Sequence, residues 1–254
     1  MNSDALQFTH ASDGVRIAYS VTGEGRGVLL IHGYASSRAQ NWGSTGWLDR
    51  LAQNGFRTVS FDCRGHGFSD KPHDAASYGD RMLDDIDAVM AAAGLSVADL
   101  CGYSMGAQLA IRYLMLKPAR VRRVALGGLG ERYFQENLAW REAMAQAMLA
   151  RDPRLIEDPV AQRFRKFADQ RGKDRVALAA CMRAPRHFYK PDDFKAARRP
   201  VLVVAGENDD LVGSPFPLAH AFADGRAVVL PSRDHMTAVG DPGYKRAVIE
   251  FLGE

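Results

Sequence analysis

Residues 100–114 read LCGYSMGAQLAIRYL. An apolar run ends at Cys101, Gly102-Tyr103-Ser104-Met105-Gly106 fits G-x-S-x-G, and residues 105–117 follow with helical spacing until Pro118 stops them. A serine between two glycines where a strand turns into a helix implies a turn so sharp that a Cβ at position 102 or 106 would meet its neighbours. The turn exposes the serine hydroxyl at the positive end of the helix, whose first N–H groups have no intrahelical partners. A serine ahead of a helix is also an ordinary N-cap, and these five residues alone do not separate the two readings.

Working outward, residues 15–21 alternate as a half-buried strand, and short apolar runs recur at 28–31, 58–61, 97–101, 121–126, 201–205 and 227–230. Helical patterns occupy 41–53, 78–93, 105–117, 215–223 and 244–252. Continuous apolar strands separated by amphipathic helices predict a mostly parallel, doubly wound α/β sheet covered on both faces, with the alternating first strand antiparallel at one edge. The rhythm breaks once, over residues 131–199, where ERYFQENLAWREAMAQAMLARDP and the residues after it read as several helices with no strand between them. This divides the chain into a core of residues 1–130 and 200–254 and a helical insertion at 131–199. The insertion comes after a strand ending in LGGLG, so it is expected beyond the carboxyl edge of the sheet, where open α/β sheets bind ligands. It reads as a cap over a site, against the plainer alternative of an independent helical appendage.

Composition narrows the function classes. With 254 residues and 46% hydrophobic content, the chain can bury one sizeable core. A net charge of +3 from 33 basic and 30 acidic side chains, with no basic stripe, gives nucleic acid little support. The beginning MNSDALQFTHASDG lacks the basic flank and apolar core of a secretory signal, and no apolar stretch is long enough to span a membrane. Cys63, Cys101 and Cys181 are odd in number and lack CxxC spacing, so they are expected as small buried hydrophobes in a cytoplasmic protein, without a disulfide or metal site.

A neutral serine hydroxyl needs a base, and the base an orienting acid. After the strand VLVVAG come Glu207-Asn208-Asp209-Asp210, and after AVVL come Pro231-Ser232-Arg233-Asp234-His235. Each group lies at a strand's carboxyl end, and His235 is the histidine placed there. His187 and His220 fall in helical or cap stretches, and His10, His32, His66 and His73 precede the serine. Asp209 is the expected acid, because one further residue would turn Asp210 away. As ordinary loop carboxylates, both would cap the next helix. Three roles filled at three strand ends favour the chemical reading of Ser104 over the N-cap.

At this point the chain resembles the α/β-hydrolase superfamily over nearly its whole length outside the insertion. Ile31-His32-Gly33-Tyr34 looks like the family's HG-x turn after the third strand, and Asp62-Cys63-Arg64-Gly65-His66-Gly67-Phe68-Ser69 resembles its D-x-R-G-x-G-x-S segment after the fourth. The resemblance implies the triad Ser104, Asp209 and His235, and an oxyanion hole from the backbone N–H groups of Tyr34 and Met105. His32, Arg64 and His66 would then be structural. Asp234 stands where the family often has glycine, and it is expected either to shift the basicity of His235 or to compete for it. The single-glycine turn differs from the HGGG form, and it is expected to point a loop carbonyl toward the alcohol side of the site and to exclude bulky alcohols.

The implied activity is hydrolysis of carboxylic esters of short to medium acyl chains, lactones or polyester-like esters included, with no metal or organic cofactor. A serine nucleophile argues against the carboxylate-based dehalogenase and epoxide hydrolase branches. A carbon–carbon bond hydrolase of vinylogous diketones would use the same triad, and a non-catalytic ligand receptor would keep the pocket alone. In the cap, Phe134, Trp140, Met144, Met148, Phe164, Phe167, Phe188 and Tyr189 are assigned mostly to its own core. Of Arg132, Arg141, Arg151, Arg163, Arg165 and Lys166, one or two are expected to hold a substrate carboxylate, as would suit the resemblance to 3-oxoadipate enol-lactonases.

Overall fold

The computed structural model describes residues 5–135, 137–170 and 172–254. Its sheet has eight strands: β1 (Gln7–His10), β2 (Arg16–Thr22), β3 (Arg26–Ile31), β4 (Phe56–Phe61), β5 (Ala98–Tyr103), β6 (Val121–Gly127), β7 (Val201–Gly206) and β8 (Gly225–Leu230). Their order is β1-β2-β4-β3-β5-β6-β7-β8. The β1–β2 and β2–β4 pairings at one edge are antiparallel, and the other five are parallel. The chain steps outward from β3 to β4 and then returns to lay β5 on the other side of β3. Strand order therefore reverses between β3 and β5, the position at which doubly wound sheets leave a crevice for ligands.

Alternation along the strands feeds two cores. Val28 and Leu30 of β3 point to the face covered by α1 (Trp47–Ala52) and α8 (Pro242–Gly253), where Trp47, Leu51, Tyr244 and Phe251 meet them. Leu29 and Ile31 point to the face of α2 (Arg81–Ala92) and α3 (Met105–Leu116), against residues such as Met82, Ile86 and Ile111. All six residues of β5 are buried, as a central strand covered on both sides requires. A further short helix, α7 (Phe216–Ala221), packs against β8.

The structure departs from the sequence reading in two places. β1 was not expected, because its four residues QFTH are mostly exposed and give no apolar signal; pairing with β2 makes them a strand. The single helix expected over 41–53 is broken into a π-turn at Ala39–Gly43 and α1. Gly46, with φ of 76°, adopts a left-handed conformation that interrupts the helix, and burial of Trp42 and Trp47 in an edge-on contact (ring centroids 5.4 Å apart) keeps an apolar period running across the break.

Between β6 and β7 lie α4 (Leu138–Leu149), α5 (Pro159–Ala168) and α6 (Arg175–Arg183), with a 3₁₀ turn at Pro153–Leu155 between the first two and no strand among the described residues. Asp158 and Asp174 accept from the first N–H groups of α5 and α6. Arg165 is buried and donates to the carbonyls of Ala147 and Ala150, placing a cation at the negative end of α4. This insertion reaches the sheet domain through α6: the Tyr34 hydroxyl donates to the Leu178 carbonyl at 2.9 Å, and Cys181 Sγ lies 3.8 Å from Met105 Sδ. Among the described residues no helix is long and apolar enough to cross a membrane.

Candidate active site

Ser104 sits between β5 and α3 with φ of 52°, a left-handed conformation that few non-glycine residues adopt. What holds it there is close packing. A Cβ on Gly106 would run into the carbonyls of Ile31 and His32, and one on Gly102 into the backbone of Gly106. The Ser104 N–H donates to the Gly127 carbonyl at 2.8 Å, and the Ser104 carbonyl accepts from Ala107 and Gln108 as α3 begins. The serine hydroxyl makes no capping bond to the helix.

His235 Nε2 lies 3.0 Å from Ser104 Oγ, and its Nδ1 lies 2.8 Å from Asp209 Oδ2. Asp209 and His235 are buried, whereas the Asp210 side chain is exposed, its carbonyl accepting from Arg132 instead. The structure thus brings Ser104, His235 and Asp209 into one hydrogen-bonded chain and leaves Asp210 outside it. The loops bearing the acid and the histidine are stitched together: Asn208 N–H donates to the Arg233 carbonyl and Ser232 N–H to the Glu207 carboxylate. The buried Tyr103 hydroxyl donates to the His235 carbonyl at 2.6 Å. Asp234 does not compete for the histidine. Its carboxylate accepts from the Met236 and Thr237 N–H groups and the Thr237 hydroxyl, which hold it below the usual carboxylate range and fix the turn that carries His235.

The turn after β3 lies beside the elbow, with Gly33 packed against Tyr103 and Ser104. Among the described residues the Tyr34 and Met105 N–H groups have no hydrogen-bond acceptor, and both residues line the same cavity as Ser104. Two buried histidines hold this turn. His32 Nδ1–H donates to the Gly33 carbonyl while its Nε2 accepts from Cys63 N–H. His66 Nδ1–H donates to the Arg64 carbonyl while its Nε2 accepts from Ala35 N–H. Each bond pattern requires the neutral ring, and burial lowers the His32 pKa to about 4 and that of His66 to about 3. Arg64 is wholly buried and pairs with Asp85 and Asp13 underneath, outside the cavity. The loop carbonyl expected to crowd the alcohol side is not that of Gly33, which turns back to accept from His32 and from Ser36 N–H.

A cavity of about 560 Å³ opens above Ser104 and His235, walled on the insertion side by Trp140, Met144, Phe164 and Phe188. Phe134 and Tyr189 belong instead to an aromatic cluster around Phe194. Of the cationic candidates, Arg132 and Arg141 reach the cavity. Arg141 donates to the Met182 and Ala184 carbonyls and Arg132 to the Asp210 carbonyl, so both have structural work. Arg151, Arg163 and Lys166 are exposed away from it, and Arg165 caps α4. The sequence reading missed Arg186 and Gln108, which line the cavity together. Gln108 lies one turn after the serine on α3, and that spacing was the signal available for it; nothing in the sequence aims Arg186 inward. The residues of the site are a hydroxyl, an imidazole, a carboxylate and amide N–H groups, a set suited to nucleophilic attack and proton transfer. Among the described residues no group of three or more His, Cys, Asp or Glu side chains is placed to hold a metal ion.

Residues 27–167 match the sequence pattern of the alpha/beta hydrolase fold. The chain is 28% identical over 261 residues to the 2-hydroxymuconate semialdehyde hydrolase of Pseudomonas putida, covering 95% of this chain and 92% of that one. Among solved structures it is similar to a hydrolase from Pseudomonas aeruginosa PA01, with a TM-score of 0.83 and 26% identity over all of both chains. It is also similar to the esterase RhEst1 from Rhodococcus sp. ECU1013, with a TM-score of 0.77 and 26% identity over 98% of each.

Proposed function

This chain belongs to the alpha/beta hydrolase fold family, and from that premise we propose that it hydrolyses carboxylic esters, of short to medium acyl chains and lactones included, through an acyl-enzyme on Ser104. The observation that carries the reading is the unbroken chain Ser104–His235–Asp209 at the floor of the cavity. His235, its Nδ1–H donated to Asp209, takes the Ser104 proton at Nε2 as Oγ attacks the acyl carbonyl. The free N–H groups of Tyr34 and Met105 stabilise the oxyanion. His235 then protonates the departing alcohol, and water, deprotonated by the same nitrogen, releases the acid. The strained Ser104 backbone is the cost of presenting Oγ to the cavity rather than to the helix. Residues 131–199 serve as the cap that shapes the acyl pocket. A reducing cytoplasm is the proposed location, supported by three buried, free thiols.

The likeness to the Rhodococcus esterase supports ester cleavage. The similarity to the semialdehyde hydrolase favours a second reading, attack of the same serine on a vinylogous diketone with cleavage of a carbon–carbon bond. Turnover of p-nitrophenyl butyrate and of a vinylogous diketone, measured side by side on wild type and Ser104→Ala, separates them. Ester turnover falling about 10⁴- to 10⁶-fold in a variant with unchanged circular dichroism is the expected result. Diketone turnover without ester turnover establishes the second reading, and no turnover of either leaves a ligand-binding protein.

A further inference from the structure

We infer that Arg186 and Gln108 form an anion subsite in the cavity, and that the substrate is an ester whose acyl chain ends in a carboxylate. The inference rests on the ester reading for the reaction and on the surroundings of Arg186 for the anion. Arg186 lines the same cavity as Ser104, and its Nη1 donates to Gln108 Oε1 at 2.6 Å. That neutral amide is its one protein partner among the described residues. Arg64, Arg112 and Arg165 meet carboxylates, of Asp85 and Asp13, Asp80 and Asp169 respectively, and the buried Arg141 on the same cavity donates to the Met182 and Ala184 carbonyls. Four of the five N–H donors of Arg186 therefore have no protein acceptor, and the Gln108 amide adds two more. Burial depresses the basicity of Arg186, the mark of a cation short of countercharge. A half-buried guanidinium that faces the cavity without an anion is incompletely solvated, and a carboxylate entering the cavity supplies the missing countercharge and charge-assisted hydrogen bonds.

The position of the pair says which part of the substrate carries the charge. Gln108 is four residues after Ser104 on α3, about 6 Å along the helix axis, with Met105 between them. The charge of Arg186 is felt at the Tyr34 hydroxyl and at Cys181, which lies against Met105. The guanidinium thus stands on the side of the Tyr34 and Met105 side chains, whereas the leaving alcohol must lie at His235 Nε2 to receive its proton. An anion at Arg186 belongs to the acyl portion. A second cavity of about 50 Å³ shares Gln108 and Arg186 with the first, together with Met105, Tyr133 and Phe188, so the pair belongs to the partition between the two.

The test compares monophenyl succinate, glutarate and adipate with uncharged isosteres such as phenyl 5-methylhexanoate, and measures glutarate binding to the wild type by calorimetry. For at least one chain length the anionic ester is expected to exceed its isostere in kcat/KM by about 10- to 100-fold, the weight of a charge-assisted hydrogen bond. The ratio should collapse towards one in Arg186→Met, recover in part in Arg186→Lys, and be accompanied by loss of glutarate binding in the methionine variant. Removing an uncompensated charge should leave the melting temperature of Arg186→Met at or above that of the wild type. A wild-type ratio of one at every length, or absence of glutarate binding, overturns the subsite without any variant. So does an Arg186→Met protein that melts lower and loses both esters alike, which would make the arginine a strut. Glutarate bound through Arg186 by an enzyme that cleaves neither ester would sink the ester reading and keep the anion site. Equal cleavage of both esters without glutarate binding would do the reverse.

Discussion

Replacing His66 by glutamine should make the protein more resistant to acid, by an amount set by the burial of one ring. His66 is neutral in the fold because its Nδ1–H donates to Arg64, its Nε2 accepts from Ala35, and burial lowers its pKa to about 3. In the unfolded chain the ring has the ordinary value of about 6.5. Between these values the unfolded state binds one more proton than the native state, so stability falls as pH falls, by about 1.4 kcal/mol per unit. From pH 7 to pH 5 this is about 2 kcal/mol for His66 alone. His32, with a pKa lowered to about 4, adds a similar loss. The pair therefore removes about 4 kcal/mol from a domain whose whole stability is of order 5–15 kcal/mol. Glutamine can accept from Ala35 and donate to the Arg64 carbonyl, yet it does not titrate. Urea unfolding at pH 7 and pH 5, followed by fluorescence of the buried Trp42 and Trp47, measures the loss in each protein. The variant should lose about 2 kcal/mol less than the wild type over this interval. Equal losses would refute the reasoning, because His66 would then be protonated in the native state or free to leave its site.

Other substitutions probe the site and its support. Asp209→Asn should slow ester turnover by about 10⁴-fold by misorienting His235, while Asp210→Asn stays near wild type; the reverse ranking in steady-state kinetics would move the acid role to Asp210. Gly106→Ala drives a methyl group into the Ile31 and His32 carbonyls and should cost about 3 kcal/mol or more in denaturant unfolding, so a variant of normal stability would deny the close strand–helix approach. Arg64→Met strands the fully buried Asp85 and should cost about 3–5 kcal/mol, with part recovered in Arg64→Met/Asp85→Leu; a double variant no better than the single one would contradict the pairing.

The sequence was sufficient for whatever depends on period and steric need. Alternation of apolar runs with amphipathic helices implied a parallel sheet, because strands covered on both faces can spare no polar positions. Gly102 and Gly106 marked the elbow, because a side chain has no room there at any sequence context. His235 could be singled out because strand ends converge on one edge of such a sheet, so three separate loops had to meet. β1 was invisible because an exposed edge strand carries no apolar pattern and exists through its pairing with β2. The break at Gly46 was hidden because Trp42 and Trp47 keep the helical period across it. The uses of Asp234, His32 and His66 lay in which way each side chain points, and so did the choice among the cap arginines. Arg165, Arg141 and Arg186 look alike along the chain, yet one caps a helix, one braces carbonyls and one faces the cavity with a neutral partner. Which of these a guanidinium does is set by contacts between residues tens of positions apart, and those distances exist only once the chain has folded.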